Sequence, residues 1–203
     1  MLYSLILSIG IISSILISLF QFGQLNEYFL WLMVSILICG VSSGVVFIIT
    51  RILPKSVFNA HRIRYKTFLI ERNFYNLIRV RKWKNKIPEL GRLSGLKKDK
   101  LLEPNNLQYL QKFLQENCIG ESLHFFSILS GLLIFLFIPA NYFLSVGVVI
   151  FLTNTLLHIL PIFVQRYIRP KLLKIYDRLV FKMEIVEGFD LNNEEKIVNY
   201  KKA

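Results

Sequence analysis

Two long blocks of the chain, residues 1–50 and 121–164, contain no lysine or arginine and are almost entirely apolar. A stretch of about 20 apolar residues is long enough to cross a bilayer as a helix. Inside a membrane, only helices and closed barrels satisfy all of their backbone hydrogen bonds. The two blocks divide into four helix-length stretches, at residues 2–20, 29–52, 122–138 and 142–164. The sequence therefore predicts an all-α fold, a bundle of four transmembrane helices.

The charged residues lie outside these blocks. All 25 lysines and arginines of the 203-residue chain fall within residues 51–120 or 165–203. Lysine and arginine are retained in the cytoplasmic loops of membrane proteins. The basic segment 53–120 and both termini are therefore predicted to be cytoplasmic, and the two short links external. We expect one multi-pass integral membrane domain over residues 1–186 and a polar C-terminal tail at 187–203.

The formal net charge of +12 also bears on the partners of the protein. A strongly basic protein can bind nucleic acid, but here the basic residues flank membrane spans. Such segments bind anionic lipid headgroups through charge. Membrane lipids and phosphate-bearing ligands are therefore the expected partners, and nucleic acid is not.

Amphipathic helices are predicted on the cytoplasmic side of the bundle. Residues 56–83 interleave aromatic and aliphatic side chains with arginine and lysine, as in a helix that lies in the headgroup layer. A second helix is predicted over residues 104–117, ended by Gly120, and a third begins at Pro170. Between the first two, residues 84–100 contain proline and glycine and predict a loop.

Polar residues within the spans indicate a candidate site, because such side chains normally face a partner or a wet cavity. Asn154 and His158 are four residues apart and share one helix face, to which Gln165 returns after about three turns. Glu121 and His124 are three residues apart at the cytoplasmic start of the third span. A carboxylate beside an imidazole can fix its tautomer and raise its basicity, which suits a general base.

Each of these residues also has a purely structural interpretation. The structural alternative for either histidine is a hydrogen bond between helices, and for Asn154 it is packing. The arginines and lysines of residues 79–86 have the alternative interpretation of a membrane-surface patch.

Several catalytic signatures are absent from the sequence. No histidine is followed by aspartate five residues later, as in glycerolipid acyltransferases, and there is no G-x-S-x-G elbow or P-loop. Cys39 and Cys118 form no metal-spaced pair and no disulfide framework, and no metal site is predicted. Without an evident nucleophile, direct transfer to an acceptor hydroxyl is more economical than a covalent intermediate.

Three motifs occur in a fixed order along the chain: VRKWKNKIPE from residue 80, ESLH from residue 121 and PIFVQRYIRPK from residue 161. Together they resemble the glycosyl-4,4'-diaponeurosporenoate acyltransferase family of small bacterial membrane enzymes, over roughly residues 54–175. The family tends to have asparagine where this chain has Ile168, and often asparagine at the position of His158. That second departure favours Glu121 and His124 as the shared pair.

The resemblance implies an integral membrane acyltransferase of a bacterial cell membrane, acting in carotenoid or glycolipid biosynthesis. It would move a fatty acyl chain from an acyl thioester, either acyl-CoA or acyl carrier protein, to a hydroxyl of a glycolipid or glycosylated carotenoid. No cofactor is expected. His124 is the predicted general base, and Glu121 is predicted to orient it.

Seven further residues are predicted to bind substrate: Trp83, Lys84, Asn154, His158, Gln165, Arg166 and Arg169. Arginine suits phosphate because its donors form a fixed fork. Two rival functions are a non-enzymatic accessory or lipid-binding scaffold protein, and a lipid hydrolase that uses water as acceptor. The sequence predicts no particular acyl chain length or oligomeric state.

Overall fold

The computed structural model describes the backbone of residues 2–22, 27–87 and 101–200, and the side chains of 2–20, 27–87 and 101–185. Within these residues there is no strand, and the α-helices are α1 Leu2–Phe22, α2 Tyr28–Ile52, α3 Leu69–Leu77, α4 Val80–Trp83, α5 Leu107–Gly131, α6 Ile134–Phe137 and α7 Val149–Tyr200. Four stretches are long and apolar enough to cross a membrane: Leu2–Phe20, Tyr28–Ile52, Leu107–Phe137 and Ala140–Ile185. The predicted all-α fold with four membrane spans is confirmed.

The first and last spans pack against each other in opposite directions. Near the start of α1, the Tyr3 hydroxyl donates to the carbonyl of Leu157 at 2.8 Å. Two turns later, Gly10 lies against the side chain of Thr153. Because the α7 residue number falls as the α1 number rises, the two helices are antiparallel.

The second span and α5 are antiparallel in the same way. At one end, Arg51 Nη1 lies 2.8 Å from Glu116 Oε1. Towards the other end, Ser130 Oγ of α5 donates to Ser42 Oγ of α2 at 3.1 Å, and Ile134, just past α5, shares a buried apolar cluster with Tyr28. One end of the bundle therefore gathers the start of α1, the end of α2, the start of α5 and the part of α7 that follows Leu157. The basic residues that follow α2 pack at this same end.

The long helix α7 continues through both of its prolines, so the predicted start of a new helix at Pro170 is wrong. A proline inside a helix leaves the carbonyl four residues earlier without its usual donor. The carbonyl freed by Pro161 is that of Leu157, which accepts from the Tyr3 hydroxyl. The carbonyl freed by Pro170 is that of Arg166, which accepts from Thr67 Oγ1 at 3.2 Å.

Helix α5 runs through Gly120, where the sequence predicted a helix end. Glycine inside a helix costs only about 1 kcal/mol relative to alanine. Its missing side chain is needed here, because a Cβ at Gly120 would lie 2.3 Å from Nε2 of Gln165 on α7. The predicted helix 104–117 and the predicted span 122–138 are thus largely one continuous helix.

The predicted single helix over residues 56–83 is broken into short pieces. Two 3-10 turns, Lys55–Phe58 and Ile63–Tyr65, precede α3. Arg79 then takes a left-handed conformation with φ of 53° and separates α3 from α4. Several apolar side chains of this segment are exposed, as expected of a surface in contact with headgroups: Ile63, Phe68, Leu69, Ile70, Phe74 and Leu77.

The predicted loop at 84–100 begins with a 3-10 turn at Lys84–Lys86, and residues 88–100 lie outside the described part of the chain.

Two buried clusters attach this segment to the bundle. Phe58 and Tyr65 pack with Phe113 on α5 and Leu172 on α7. Tyr75, Val80 and Ile87 pack with Val164 on α7. Burying a large apolar side chain contributes about 1.5–3 kcal/mol, so these contacts hold the basic segment against the two helices that contain the candidate site.

The charge distribution predicts that this end of the bundle is cytoplasmic, and labelling tests the prediction. In a background with Cys39 and Cys118 replaced by alanine, we expect Asn141→Cys to react with an impermeant maleimide added outside intact cells. Lys112→Cys should react only after the membrane is permeabilised, because it lies at the opposite end of α5 from the link that contains Asn141. The reverse labelling pattern would invert the topology.

Candidate active site

Two histidines meet between α5 and α7, in the half of the bundle nearer the basic segment. His124 Nδ1 lies 2.9 Å from His158 Nδ1, and the ring centroids are 5.3 Å apart. Seven residues away along each helix, Asn117 Nδ2 donates to the Gln165 carbonyl at 3.3 Å. Seven residues are close to two helical turns, so antiparallel helices in this register bring both pairs to one interface.

The contact between the two rings fixes complementary tautomers. A neutral imidazole has one N–H donor and one acceptor nitrogen. The histidine that donates through Nδ1 therefore exposes an acceptor lone pair at Nε2, and its partner presents an N–H there. One member of the pair thus has a basic nitrogen at Nε2, and the other fixes its tautomer and orientation through the Nδ1 contact. This is the role that the sequence assigned to Glu121.

Glu121 bonds elsewhere. Its Oε1 accepts from Arg166 Nη1 at 2.6 Å, and its Oε2 accepts from Arg169 Nη2. The predicted orientation of His124 by Glu121 is therefore replaced by an ion pair with α7, and His158 is the partner of His124. Glu121 and His124 are three residues apart and do lie on neighbouring turns of α5. The carboxylate bonds the arginines of α7 instead, because a hydrogen bond between charged groups is stronger than one to a neutral imidazole.

Arg166 is bound from both sides. Its Nε and Nη2 donate to the two carboxylate oxygens of Glu71 at 2.9 Å, while Nη1 reaches Glu121. Nη2 also donates to the carbonyl of Lys66 at 2.9 Å. This two-sided arrangement ties α3, α5 and α7 together.

Arg169 is fully buried, with 0% exposure. Its Nε donates to Asn117 Oδ1 at 2.8 Å, its Nη1 to the Tyr65 carbonyl at 2.9 Å, and its Nη2 to Glu121. A buried charge is tolerated only when it is paired and hydrogen-bonded. We name the four charged residues Glu71, Glu121, Arg166 and Arg169 the carboxylate–arginine network; its formal charge is zero. The donors of both arginines are bonded within the protein. A role for these arginines in binding phosphate stays a prediction.

Tyr65 packs against Arg169 of the network and against α5. Its hydroxyl lies 2.8 Å from Ser122 Oγ, and the Arg169 guanidinium lies 5.0 Å from its ring centroid. Burial raises the pKa of the Tyr65 phenol, so the ring carries no negative charge. Its contacts are therefore a neutral hydrogen bond and a cation–π contact.

Asn154 and Gln165 face α5, as their spacing with His158 predicts. Asn154 Nδ2 donates to the Ser127 carbonyl at 3.2 Å and lies against Gly131. Gln165 fills the space left by Gly120. Both side chains hold α5 and α7 at close approach, and their role in binding substrate stays a prediction.

Trp83 and Lys84 lie at the end of α4, and the hydrogen bond of the Trp83 indole is made outside the network. Trp83 Nε1 donates to the Ile78 carbonyl at 2.9 Å and packs with Val80 and Val164. The indole therefore stabilises the turn at Arg79. A substrate role for Trp83 and the half-buried Lys84 stays a prediction.

Arg81, Lys82 and Lys86 are exposed beside Trp83 and form what we name the α4 patch. Replacing all three by glutamine is expected to weaken binding to anionic vesicles by roughly fivefold per charge, since each basic side chain near the surface contributes about 1 kcal/mol. The loss should shrink as salt rises, because ions screen exposed charges. Co-sedimentation with phosphatidylglycerol vesicles, against phosphatidylcholine vesicles as control, measures it. Equal binding by the variant would make the α4 patch a solvated surface.

Glu71, a member of the network, was not predicted from the sequence, nor were Tyr65 and Asn117, which contact the network. One signal was present for Glu71, which is the only acidic residue in 53–88. An isolated carboxylate in a basic segment indicates an internal partner. Tyr65 and Asn117 contribute a backbone carbonyl and a neutral amide, for which the sequence has no distinguishing pattern.

Comparison with known proteins agrees with the motifs. The glycosyl-4,4'-diaponeurosporenoate acyltransferase family model matches residues 54–178, more than half of the chain. The match includes the basic segment, both histidines of the pair and the whole carboxylate–arginine network. No curated protein and no solved structure matches the chain. The resemblance predicted from the three motifs is confirmed, and this four-span membrane protein belongs to the glycosyl-4,4'-diaponeurosporenoate acyltransferase family, a family of acyltransferases of carotenoid biosynthesis.

Proposed function

We propose that the protein transfers a fatty acyl chain from an acyl thioester to a hydroxyl of a glycolipid or glycosylated carotenoid. The observation that supports this most is the 2.9 Å contact between His124 and His158 at the interface of α5 and α7. It provides a base near the membrane surface, where a water-soluble donor can meet a lipid acceptor.

The proposed reaction is one displacement at the thioester carbonyl. His124 Nε2 accepts the proton of the acceptor hydroxyl while the hydroxyl oxygen attacks the carbonyl carbon. The new C–O ester bond forms, the C–S bond breaks, and the thiolate takes the proton from the imidazolium to leave as a thiol. A positioned base of this kind contributes about 10²–10⁴-fold to the rate.

His158 supports the charged intermediate of the base. When His124 holds a proton at both nitrogens, its Nδ1–H donates to neutral His158. A hydrogen bond from a charged donor is stronger than one between neutral groups. The contact therefore stabilises the imidazolium more than the neutral ring, as catalysis requires.

The carboxylate–arginine network serves in this proposal to position the base. Glu121 stands one turn before His124 on α5, and its two arginines stand on the α7 face that also presents His158. Fixing the register of α5 against α7 fixes the distance between the two rings.

An apolar groove between α2 and α5 is available to a lipid chain. It has a volume of about 490 Å³ and is lined by Leu37, Ile38, Val41, Ser42, Val45, Val46, Ser130 and Leu133. The two serines bond to each other at 3.1 Å, so the groove presents hydrocarbon to the membrane. This suits an acyl or polyene tail held beside the reacting headgroup.

A product assay tests the proposed function. Purified protein in phosphatidylcholine nanodiscs is given an acyl thioester and a glycosylated lipid acceptor, and the products are followed by mass spectrometry. We expect the acceptor to gain the mass of one acyl group, with one thiol released per ester. Release of free fatty acid without ester would make the protein a hydrolase and would contradict the proposal.

A further inference from the structure

A large cavity opens at the end of the bundle that holds the basic segment. Its volume is about 910 Å³, within the usual range for a small-molecule site. The cavity lies between the residues around α3 and the middle of α7, and Arg169 of the network reaches its wall. Besides Arg169, its wall contains five lysine and arginine side chains: Lys66, Arg72, Lys171, Lys174 and Arg178.

The positive charge of this wall has no neutralising partner among the residues that the structure describes. Among the described residues, none of the five side chains forms an ion pair with a carboxylate. The wall holds one acidic residue, Asp177, which lies 3.7 Å from His61. Arg169 also reaches the wall, but Glu121 balances its charge. The exposed cations therefore remain available to an anion of high charge, such as one with several phosphates.

The wall also contains four aromatic side chains, those of three tyrosines and Phe181. Tyr65, Tyr75 and Tyr167 line it, and Lys171 Nζ lies 4.0 Å from the centroid of the Tyr167 ring. Burial raises the pKa of the phenols of Tyr65 and Tyr75, so neither repels an anion. Tyr65 and Tyr75 are themselves buried, so the accessible aromatic faces are those of the half-buried Tyr167 and the exposed Phe181. Aromatic faces beside cations suit a ligand that joins a heterocyclic base to phosphate.

The separation of the cavity from the histidine pair restricts the ligand further. Lys171 follows His158 by thirteen residues on α7, which corresponds to roughly 20 Å along the helix. A donor whose phosphates lie in the cavity needs a long, thin linker to place its thioester beside His124. The pantetheine arm of coenzyme A is such a linker, with the nucleotide phosphates at one end and the thiol at the other.

We propose that this cavity binds the nucleotide phosphates of a coenzyme A thioester, the acyl donor of the reaction. That the pantetheine arm extends towards His124 rests on the proposed function. Binding of the nucleotide end does not, because it occurs without acyl transfer. A concave site of this volume, lined by basic and aromatic side chains, fits a small nucleotide donor better than the surface of a carrier protein.

Direct binding tests the proposal. The probe is unacylated coenzyme A, titrated by calorimetry into the full-length protein in phosphatidylcholine nanodiscs. Lys171→Gln, Lys174→Gln and Arg178→Gln are combined in one variant; all three side chains are exposed, so folding should be unaffected. We expect the Kd to rise tenfold or more. The matched control is the glutamine variant of the α4 patch, which also loses three charges and should change the Kd less than twofold.

Two further probes distinguish the sources of the phosphate. Phosphatidylglycerol vesicles should bind the cavity variant as well as the parent protein and should lose affinity for the α4 patch variant. Phosphopantetheinylated acyl carrier protein should bind no more tightly than coenzyme A does. If the cavity variant loses vesicle binding but keeps coenzyme A binding, the site serves lipid headgroups and the proposal is overturned. Tight binding of the carrier protein without coenzyme A binding overturns it as well.

Failure of the binding proposal and failure of the proposed function give different results. His124→Ala should keep full affinity for coenzyme A, since His124 does not line the cavity. For acyl transfer, the cavity variant should show a tenfold or greater rise in KM for the thioester with kcat within about twofold. An unchanged Kd and KM in the cavity variant would overturn the site while leaving the acyltransferase intact. The opposite result is also possible to recognise. If the parent protein binds coenzyme A but forms no ester, and the cavity variant loses that binding, only the proposed function is overturned.

Discussion

His124→Ala is expected to lower kcat for acyl transfer by about a hundredfold or more, the usual contribution of a positioned base. The substitution removes the Nε2 lone pair that takes the acceptor proton. Because His124 is half-buried at the interface of α5 and α7, the variant should still insert and fold. Initial rates of ester formation in nanodiscs measure the effect, and thermal unfolding of the same preparation verifies the fold. Phe125→Ala, an exposed neighbour on α5, is the control and should retain its rate.

Substitutions of His158 separate the two members of the pair. His158→Asn keeps a side chain that can bond His124 Nδ1, so we expect a loss of less than about tenfold. His158→Ala removes the bond and should cost more, because nothing then stabilises the imidazolium. If His158→Asn is inactive while His124→Ala is active, the base is on α7. If both His124→Ala and His158→Ala retain full turnover, general-base catalysis by this pair is wrong.

The sequence was sufficient to predict the spans and the approximate location of the site. Hydropathy and the confinement of lysine and arginine to two regions give the four-helix arrangement, because a bilayer leaves few alternatives. Helical spacing placed Asn154, His158 and Gln165 on one face, and the structure confirms that face. These features depend on local periodicity, which a sequence contains directly.

The partners of the charged residues were not predictable in the same way. Spacing identified His124 as the neighbour of Glu121, but Glu121 bonds Arg166 and Arg169, which lie 45 and 48 residues further along the chain. The choice depends on the register of α5 against α7. That register depends in turn on close packing at Gly120, where the sequence indicated a helix end.

The continuity of α7 was hidden for a related reason. Prolines predict breaks because they leave a carbonyl without a donor. The donors that compensate are Tyr3 on α1 and Thr67 in the basic segment, both more than 95 residues away in sequence. Only the tertiary fold shows that each freed carbonyl has a hydroxyl beside it.

Glu121→Gln is expected to destabilise the protein by about 3–5 kcal/mol, the usual result of removing one partner from a buried ion pair. Arg166 keeps Glu71, but Arg169 is fully buried and has no other carboxylate among the described residues. Its charge would remain in the interior with only neutral partners. A lower apparent melting temperature in detergent measures the loss. Since Glu121 does not bond His124, kcat of the folded fraction should fall far less than in His124→Ala.

A second substitution distinguishes an unpaired charge from the loss of a catalytic carboxylate. In Glu121→Gln with Arg169→Met, the uncompensated cation is gone and the Glu71–Arg166 pair is intact. We expect this double variant to be more stable than Glu121→Gln alone, with a coupling energy of about 1–3 kcal/mol in the double-mutant cycle. Additive losses in the cycle would contradict the network. A kcat that stays low in the stable double variant would return Glu121 to the role of orienting the base, because restoring the fold would then not restore the chemistry.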